Sequence, residues 1–212
     1  MSEFKEMRVK FCSQCGSATK FIIPAGDNRP RDVCSNPDCQ LIHYQNPKIV
    51  VGCLVIYKEK ILLCRRAIEP GYGLWTIPAG FMENAESTGD GAMRETLEEA
   101  GINVKIKQLF SSISLPMCNQ IYLMYLAQAE SENLPNIIGT PIEQETLEIK
   151  FFAESEIPYH DFAFVSVVDS IKNYFEQRNK KLQNNIDVYN SYYEVFEKVQ
   201  NGETELNCKK VK

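Results

Sequence analysis

Residues 80–102 read GFMENAESTGDGAMRETLEEAGI and contain the most informative pattern in the chain. Apolar residues recur at helical spacing in the second half, and Gly101 stands where a helix would stop. Glu95, Glu98 and Glu99 occupy positions i, i+3 and i+4, so a helix places their carboxylates on one face. Neighbouring carboxylates repel one another, and a shared divalent cation relieves that repulsion. The pattern therefore predicts a metal-binding helix, with an exposed acidic face as the alternative.

The spacing around this helix follows a longer pattern. Five residues separate Gly80 from Glu86, seven more lead to Arg94, and the chain continues as Arg-Glu-Thr-Leu-Glu-Glu-Ala-Gly-Ile. This resembles the Nudix box, Gly-x5-Glu-x7-Arg-Glu-U-x-Glu-Glu-x-Gly-U, where U is aliphatic, and Thr96 is the one departure. The chain is identified as a member of the Nudix hydrolase family. That resemblance implies an α/β (α+β) fold, an α/β/α sandwich with a mixed sheet.

The resemblance also implies a reaction and its residues. Family members hydrolyse a nucleoside diphosphate linked to another group, and they use Mg2+ or Mn2+ to neutralise the diphosphate and to activate a water. Arg94 resembles the arginine that orients the catalytic carboxylates, and a surface ion pair with Asp90 is the alternative. The metal ligands that the resemblance implies are Glu95, Glu98, Glu99 and the Gly80 carbonyl.

Residues outside the box are candidates for the same site. Glu145 resembles an additional metal-binding glutamate in a loop after the box, and it is a candidate metal ligand or general base. Glu148 is the next candidate for that role, and a solvated loop is the alternative. Arg66, at the end of a predicted strand, is a candidate to bind the diphosphate bidentately. Trp75 is a candidate to stack on a nucleobase or flavin, with packing in the core equally open.

Cysteine spacing indicates a second metal in the first part of the chain. Two close pairs form the pattern C-x2-C-x18-C-x4-C, made by Cys12, Cys15, Cys34 and Cys39. This spacing favours a tetrahedral four-thiolate zinc site, and the short strands predicted between the pairs indicate a zinc ribbon. A module this small needs a metal to fold, so we expect a structural Zn2+, with His43 as an alternative ligand. Residues 1–48 hold seven basic and five acidic residues, which makes nucleic-acid binding through the ribbon an unfavoured reading.

Length and composition limit the class of protein. The chain has 212 residues and a net charge of −5, with no apolar run long enough to span a membrane. The first residues mix charges and lack an apolar signal core, so we expect a cytoplasmic protein. We predict a zinc ribbon at residues 1–47, a Nudix domain at 48–180 and a C-terminal extension at 181–212. Aromatic residues at helical spacing between Tyr189 and Val199 indicate a helix that packs on the core or forms a homodimer.

Other segments of the sequence narrow the range of expected substrates. A ribbon followed by a Nudix box resembles the NADH-pyrophosphatase type, and residues 44–48, 51–54, 73–76 and 78–80 resemble plant chloroplast FAD pyrophosphatases of the family. Residues 111–117, SSISLPM, replace the Ser-Gln-Pro-Trp-Pro-Phe-Pro signature of NADH pyrophosphatases. We therefore expect a small-molecule dinucleotide or nucleotide-sugar substrate, FAD or ADP-ribose before NADH, cleaved to AMP and a phosphorylated product. The alternatives are a catalytically silent nucleotide sensor, which the intact box disfavours, and RNA binding or cap removal, which lacks a basic surface.

Overall fold

The computed structural model describes the backbone of residues 8–130, 145–184, 192–200 and 203–211, and the side chains of residues 8–130 and 145–180. The chain forms two compact units, Met1–Pro47 and Lys48–Lys212. Within the described backbone, no helix is both long and apolar enough to cross a membrane.

The first unit is a small antiparallel sheet. Its three strands are β1 (Thr19–Ile22), β2 (Arg31–Cys34) and β3 (Ile42–His43), with β2 in the centre. Asp32 on β2 is buried and receives two hydrogen bonds from the Arg8 guanidinium, at 2.6 and 2.8 Å. The strand order and the short turns between the cysteine pairs agree with the predicted zinc ribbon.

In the described part of the second unit, a mixed sheet of nine strands is flanked by two α-helices. The elements are β4 (Lys48–Tyr57), β5 (Lys60–Arg66), β6 (Trp75–Thr76), β7 (Ala79–Phe81), α1 (Thr88–Ala100), β8 (Val104–Leu115), β9 (Gln120–Ala129), β10 (Thr146–Phe152), α2 (Val165–Asn184), β11 (Tyr192–Gln200) and β12 (Glu203–Val211). The long strands follow the order β10-β5-β4-β9-β8-β11-β12. The pairs β4–β9 and β8–β11 are parallel and the other pairs are antiparallel, so the predicted mixed sheet is confirmed.

Side chains alternate across the sheet and build a hydrophobic core on each face. On β4, Val51, Cys53 and Val55 face the core that contains Ala92 and Ala100 of α1. The opposite face buries Leu54 in a second core, to which α2 contributes apolar side chains: Val167, Ile171, Tyr174 and Phe175. This period of two is what strands buried on both faces require. The α/β/α sandwich is confirmed.

The centre of the sheet opens between β4 and β5. These strands pair only beside their connecting turn, at Ile56–Ile61 and Tyr57–Lys60. Beyond this point β6 pairs with β5 and β7 pairs with β4, so residues 75–81 fill the space between the separating strands. Gly52 on β4 permits this approach, because a Cβ atom there would lie 2.5 Å from the Ala79 Cβ and 2.7 Å from the Pro78 carbonyl oxygen.

The C-terminal segment differs from its prediction. Residues 192–200, expected to be helical, form strand β11, which pairs in parallel with β8 and antiparallel with β12. Tyr, Val and Phe favour strands, and a free edge on β8 supplies the backbone partners that an isolated segment lacks. Helix α2 continues to Asn184 and the last strands extend the same sheet, and the boundary expected at residue 180 stays a prediction. Tyr189 lies outside the described residues, and the homodimer expected from this segment stays a prediction.

The close approach at Gly52 predicts a destabilised variant. In Gly52→Ala the new methyl group would overlap the Pro78 backbone, so we expect the free energy of unfolding to fall by about 1–3 kcal/mol. Urea denaturation followed by circular dichroism measures this change. Gly89→Ala is the matched control, because its Cβ would meet the end of the Ile106 side chain at 3.3 Å and the Ser87 hydroxyl at 3.9 Å, within a helix that favours alanine. An unchanged urea midpoint in Gly52→Ala would contradict this account of the gap.

Candidate active site

Helix α1 carries the box carboxylates, and both of its ends are capped. Ser87 is the N-cap, and its hydroxyl accepts a hydrogen bond from the Asp90 backbone N–H at 3.1 Å. Gly101 ends the helix in the left-handed region, at φ 62°, and its N–H donates to the Leu97 carbonyl. The predicted stop at Gly101 is confirmed. These caps fix where the helix begins and ends, and therefore which residues face β7.

Arg94 connects the carboxylates of the box. Its Nη1 lies 2.7 Å from Glu95 Oε1 and 2.8 Å from Glu98 Oε2, while its Nε and Nη2 contact the two Glu86 oxygens at 3.0 and 2.9 Å. Asp90, the alternative partner, instead accepts a hydrogen bond from the Ser87 hydroxyl. The Arg94 side chain is 28% exposed, so this network is only partly screened by water. One guanidinium thus holds three like charges in fixed positions.

Glu95 lies against the backbone of Gly80. A Cβ atom on Gly80 would overlap the Glu95 carboxylate, so glycine is required for this contact. Burial raises the pKa of Glu95, and the hydrogen bond from Arg94 opposes that rise. The structure therefore brings together two of the proposed metal ligands, the Glu95 carboxylate and the residue whose carbonyl was predicted to contribute.

Glu99 contacts the backbone at the start of β7. The Ala79 backbone N–H donates to Glu99 Oε2 at 3.1 Å, a contact that sequence analysis did not predict. Burial raises the pKa of Glu99 to about 8, with the Ala79 hydrogen bond and Arg66 opposing the rise and the charges of Glu95 and Glu145 adding to it. By contrast, the Arg94 contacts lower the pKa of Glu86 to about 2.

The loop glutamate and the strand-end arginine both reach this region. Glu145 is exposed, and its charge raises the pKa values of both Glu95 and Glu99, which places it near their carboxylates. Its carbonyl accepts a hydrogen bond from the Ala67 N–H at 2.8 Å, which anchors it beside the end of β5. The charge of Arg66 lowers the pKa of Glu99, which places it near that carboxylate, and its Nε donates to the Pro70 carbonyl at 2.8 Å.

Two other candidates point elsewhere. Glu148 lies 3.6 Å from Arg65 Nη1 in an exposed ion pair, so of these two candidates Glu145 is the one beside the site. Trp75 is 9% exposed and packs edge-on against Phe152 with ring centroids 5.0 Å apart. Of the two roles left open for Trp75, the structure shows core packing and no exposed face for a flavin or nucleobase.

The metal-binding geometry of the two units differs. In the first unit, Cys12 Sγ lies 3.8 Å from Cys39 Sγ and Cys15 Sγ lies 3.4 Å from Cys34 Sγ. All four sulfur atoms lie within 4.8 Å of one another, which suits tetrahedral Zn2+ with Zn–S bonds of about 2.3 Å. Among the described side chains this is the one group that converges so closely. The glutamates offer the oxygen ligands that Mg2+ prefers, and binding requires their carboxylates to turn toward the ion.

A zinc content measurement checks the thiol cluster. Replacing Cys12 or Cys39 by Ser should lower bound zinc from about one equivalent to near zero, because the site needs four thiolates. Cys118→Ser is the control, since that cysteine is exposed and lies outside the cluster. Plasma mass spectrometry of the purified proteins gives the stoichiometry. Full zinc content in both cluster variants would contradict the assignment.

The raised pKa of Glu99 predicts a pH-dependent stability. The carboxyl group has a pKa of about 4.3 in an unfolded chain and about 8 in the folded protein. Between these values the folded state binds more protons, so this group makes the free energy of unfolding fall as pH rises from about 5 to 8. Glu99→Gln cannot ionise and should become more stable than the native protein as pH approaches 8, in urea denaturation without added divalent metal. Glu148→Gln, an exposed site, is the control, and parallel pH curves for Glu99→Gln and the native protein would contradict the prediction.

Comparisons with known proteins found matches to both parts of the chain. The family model described as NUDIX domain matches residues 46–169, and the one described as Nudix N-terminal matches residues 10–45. The NAD-capped RNA hydrolase NudC of Vibrio parahaemolyticus is 29% identical over 71% of this chain and 53% of its own length. Human NAD-capped RNA hydrolase NUDT12 is 34% identical over 60% of this chain and 28% of its own length, so this chain spans about half or less of these relatives.

One solved structure matches more of this chain than these two relatives do. The crystal structure of a NUDIX hydrolase from Nitrosomonas europaea is 46% identical, covers 81% of this chain and 93% of that chain, and superposes with a TM-score of 0.74. The ADP-ribose pyrophosphatase of Methanocaldococcus jannaschii is 34% identical over 34% of this chain and 43% of its own length. Because a family model covers more than half of the chain and the Nitrosomonas structure covers most of it, the protein belongs to the Nudix hydrolase family.

Proposed function

We propose that this protein is a divalent-metal-dependent pyrophosphatase that hydrolyses the diphosphate bond of a nucleoside diphosphate derivative. FAD and ADP-ribose are the preferred substrates in this proposal, with NADH a poorer one, and the products are AMP and a phosphorylated compound. The observation that carries the proposal is the pair Glu95 and Glu99, half-buried carboxylates with raised pKa values beside the backbone of β7.

The charges of the site suit a metal-bound diphosphate. A bound Mg2+ or Mn2+ would neutralise the diphosphate and lower the pKa of a coordinated water. Glu95, Glu98 and Glu99 would hold such an ion, and Arg94 keeps Glu95 and Glu98 in place through ion pairs at 2.7 and 2.8 Å. The Glu98 side chain is 44% exposed and faces the solvent from which substrate enters. Glu145, anchored through its carbonyl, is proposed as a further ligand or as the general base.

The proposed substrates are inferred from residues of this sequence and from the relatives. Arg66 is proposed to bind the diphosphate, since its charge already acts on Glu99. The relatives include NAD-capped RNA hydrolases and an ADP-ribose pyrophosphatase, and the substrates in both names carry a diphosphate between two nucleoside or sugar groups. Four reduced thiols that converge within 4.8 Å favour a reducing compartment, which supports the proposed cytoplasmic location. A homodimer is part of the same proposal, and light scattering at micromolar concentration tests it.

The metal assignment predicts a rate loss at Glu98. Replacing Glu98 by Gln removes a charged ligand from an exposed position, so kcat/KM should fall by roughly a hundredfold or more while the fold is kept. Glu176→Gln is the matched control, because that glutamate forms only an exposed pair with Lys180 on α2. Circular dichroism verifies folding of both variants. An unchanged rate in Glu98→Gln would defeat the assignment.

A substrate panel tests the activity itself. The protein is incubated with Mg2+ or Mn2+ and with FAD, ADP-ribose, NADH, an NAD-capped RNA or nucleoside triphosphates, and the products are identified by mass spectrometry. The proposal predicts AMP together with FMN or ribose 5-phosphate at the highest kcat/KM. Hydrolysis of the nucleoside triphosphates, with no turnover of the diphosphate-linked compounds, would overturn the proposed substrate class. Binding of these compounds without any product would instead support the silent sensor.

A further inference from the structure

Arg66 ends strand β5 with a guanidinium that is only partly occupied. Its Nε donates to the Pro70 carbonyl at 2.8 Å, and no described residue accepts a hydrogen bond from its two Nη groups or forms an ion pair with them. The neighbouring Arg65, by contrast, donates its Nε to the Gly73 carbonyl at 2.8 Å and lies 3.6 Å from a Glu148 oxygen through Nη1. Arg66 therefore keeps a planar pair of donor groups free, which is the geometry that binds phosphate oxygens bidentately.

The strand register places Arg66 on the face of the sheet that α1 covers. Cys64 on β5 lies in the core that contains Ala92 of α1, and Arg66 follows it at the period of two. Arg66 also pairs with Thr146 on β10, and the residue after it donates its N–H to the Glu145 carbonyl at 2.8 Å. Backbone pairing thus brings Arg66 to the side of the sheet that carries the box carboxylates.

Phe164, just before α2, supports this guanidinium with its ring. The Arg66 Cζ lies 5.2 Å from the centroid of the Phe164 ring, a distance at which a cation is attracted to an aromatic face. The ring is half-buried and packs against the core on the α2 side. Its backbone is held by the first turn of α2, because the Phe164 carbonyl accepts the N–H groups of Val167 and Val168 at 3.2 and 3.4 Å. The ring is therefore a fixed surface for the arginine.

The loop that accepts the Nε hydrogen bond packs against the same segment. A Cβ atom on Gly71 would lie 2.8 Å from the Ala163 Cβ, so this loop and the residue before Phe164 are in close contact. The Ala163 N–H donates to the Trp75 carbonyl at 2.9 Å, which connects the segment to β6. The accepting carbonyl and the Phe164 ring are therefore fixed relative to each other, and both contact one guanidinium.

We propose that Phe164 is a positioning residue that presents the two Nη groups of Arg66 to the diphosphate of the substrate. The aromatic ring and the Pro70 carbonyl hold the guanidinium plane in one orientation before the substrate binds, so binding requires less ordering of a flexible side chain. This inference rests on the proposed function, because it takes a diphosphate as the group that Arg66 binds. Phe164 then contributes to substrate affinity, whereas the activation of water belongs to the metal-binding carboxylates.

Diphosphate binding by Phe164→Leu tests the inference without relying on turnover. The substitution removes the aromatic face and keeps an apolar side chain against the core. Calorimetric titration with α,β-methylene-ADP, in which a CH2 group replaces the bridging oxygen, should show an affinity roughly three- to tenfold weaker than that of the native protein. With ADP-ribose as substrate, KM should rise by a similar factor while kcat stays within about twofold of the native value. Phe164→Tyr keeps the ring and should restore both the affinity and KM.

A second aromatic residue on the same segment provides the control. Tyr159 is also half-buried against the core, and its ring contacts Lys172 Nζ at 5.5 Å and stacks with Phe162. Tyr159→Leu loses comparable packing without touching Arg66, so its affinity for α,β-methylene-ADP stays at the native value even where its stability toward urea falls. Native affinity in Phe164→Leu would overturn the inference, as would equal weakening in both leucine variants or a failure of Phe164→Tyr to restore binding.

Arg66→Gln separates this inference from the proposed function. If Arg66→Gln weakens binding of α,β-methylene-ADP and Phe164→Leu does not, the inference fails and the diphosphate role of Arg66 stands. If Arg66→Gln binds like the native protein, the role of Arg66 fails and that of Phe164 fails with it. If both weaken binding, the double variant should bind no more weakly than Arg66→Gln alone, because the ring then has no guanidinium to position. Absence of any product from the native protein, with this binding pattern kept, would contradict the proposed hydrolysis and leave the role of Phe164 in place.

Discussion

The ion-pair network of Arg94 is the interaction on which the candidate site depends. Glu86, Glu95 and Glu98 all contact this guanidinium within 3.0 Å, and their charges would repel one another without it. The carboxyl groups of the site also differ in acidity. Arg94, bound to both Glu86 oxygens, lowers the pKa of Glu86 to about 2, whereas burial raises the pKa of Glu99 to about 8. The ion-pair network and burial therefore act in opposite directions on the carboxyl pKa values.

The open centre of the sheet decides where this network lies. Because β4 and β5 separate beyond their turn, residues 75–81 enter the gap and bring the Ala79 N–H and the Gly80 backbone against α1. Gly52 and Gly80 make the approach possible from the two sides, since a side chain at either position would overlap its neighbours. The site is thus built from backbone contacts that two glycines permit, and the carboxylates of α1 complete it.

The two units use different chemistry for different purposes. In the first unit four thiols converge within 4.8 Å, which suits a zinc ion that stabilises a small fold and leaves no open position. In the second unit the candidate oxygen ligands lie along a helix face, and Arg94 holds two of them through ion pairs, which suits an ion that arrives with a phosphorylated substrate. The acidic residues of the second unit are therefore compatible with a polyanionic ligand, because a bound metal ion would lie between their charges and those of the ligand.

Sequence by itself determined the family, the ribbon cysteines and the carboxylate face. These depend on spacing along short segments, which are Gly80 to Ile102 within one strand–helix unit and Cys12 to Cys39 within one small sheet. Long-range packing decided the rest. Trp75 became a core residue because β6 pairs inside the gap, and residues 192–200 became a strand because β8 offered an unpaired edge. The approach of Glu145 to the site has the same origin. It depends on which strands lie side by side, and strand pairing joins residues that no local pattern connects.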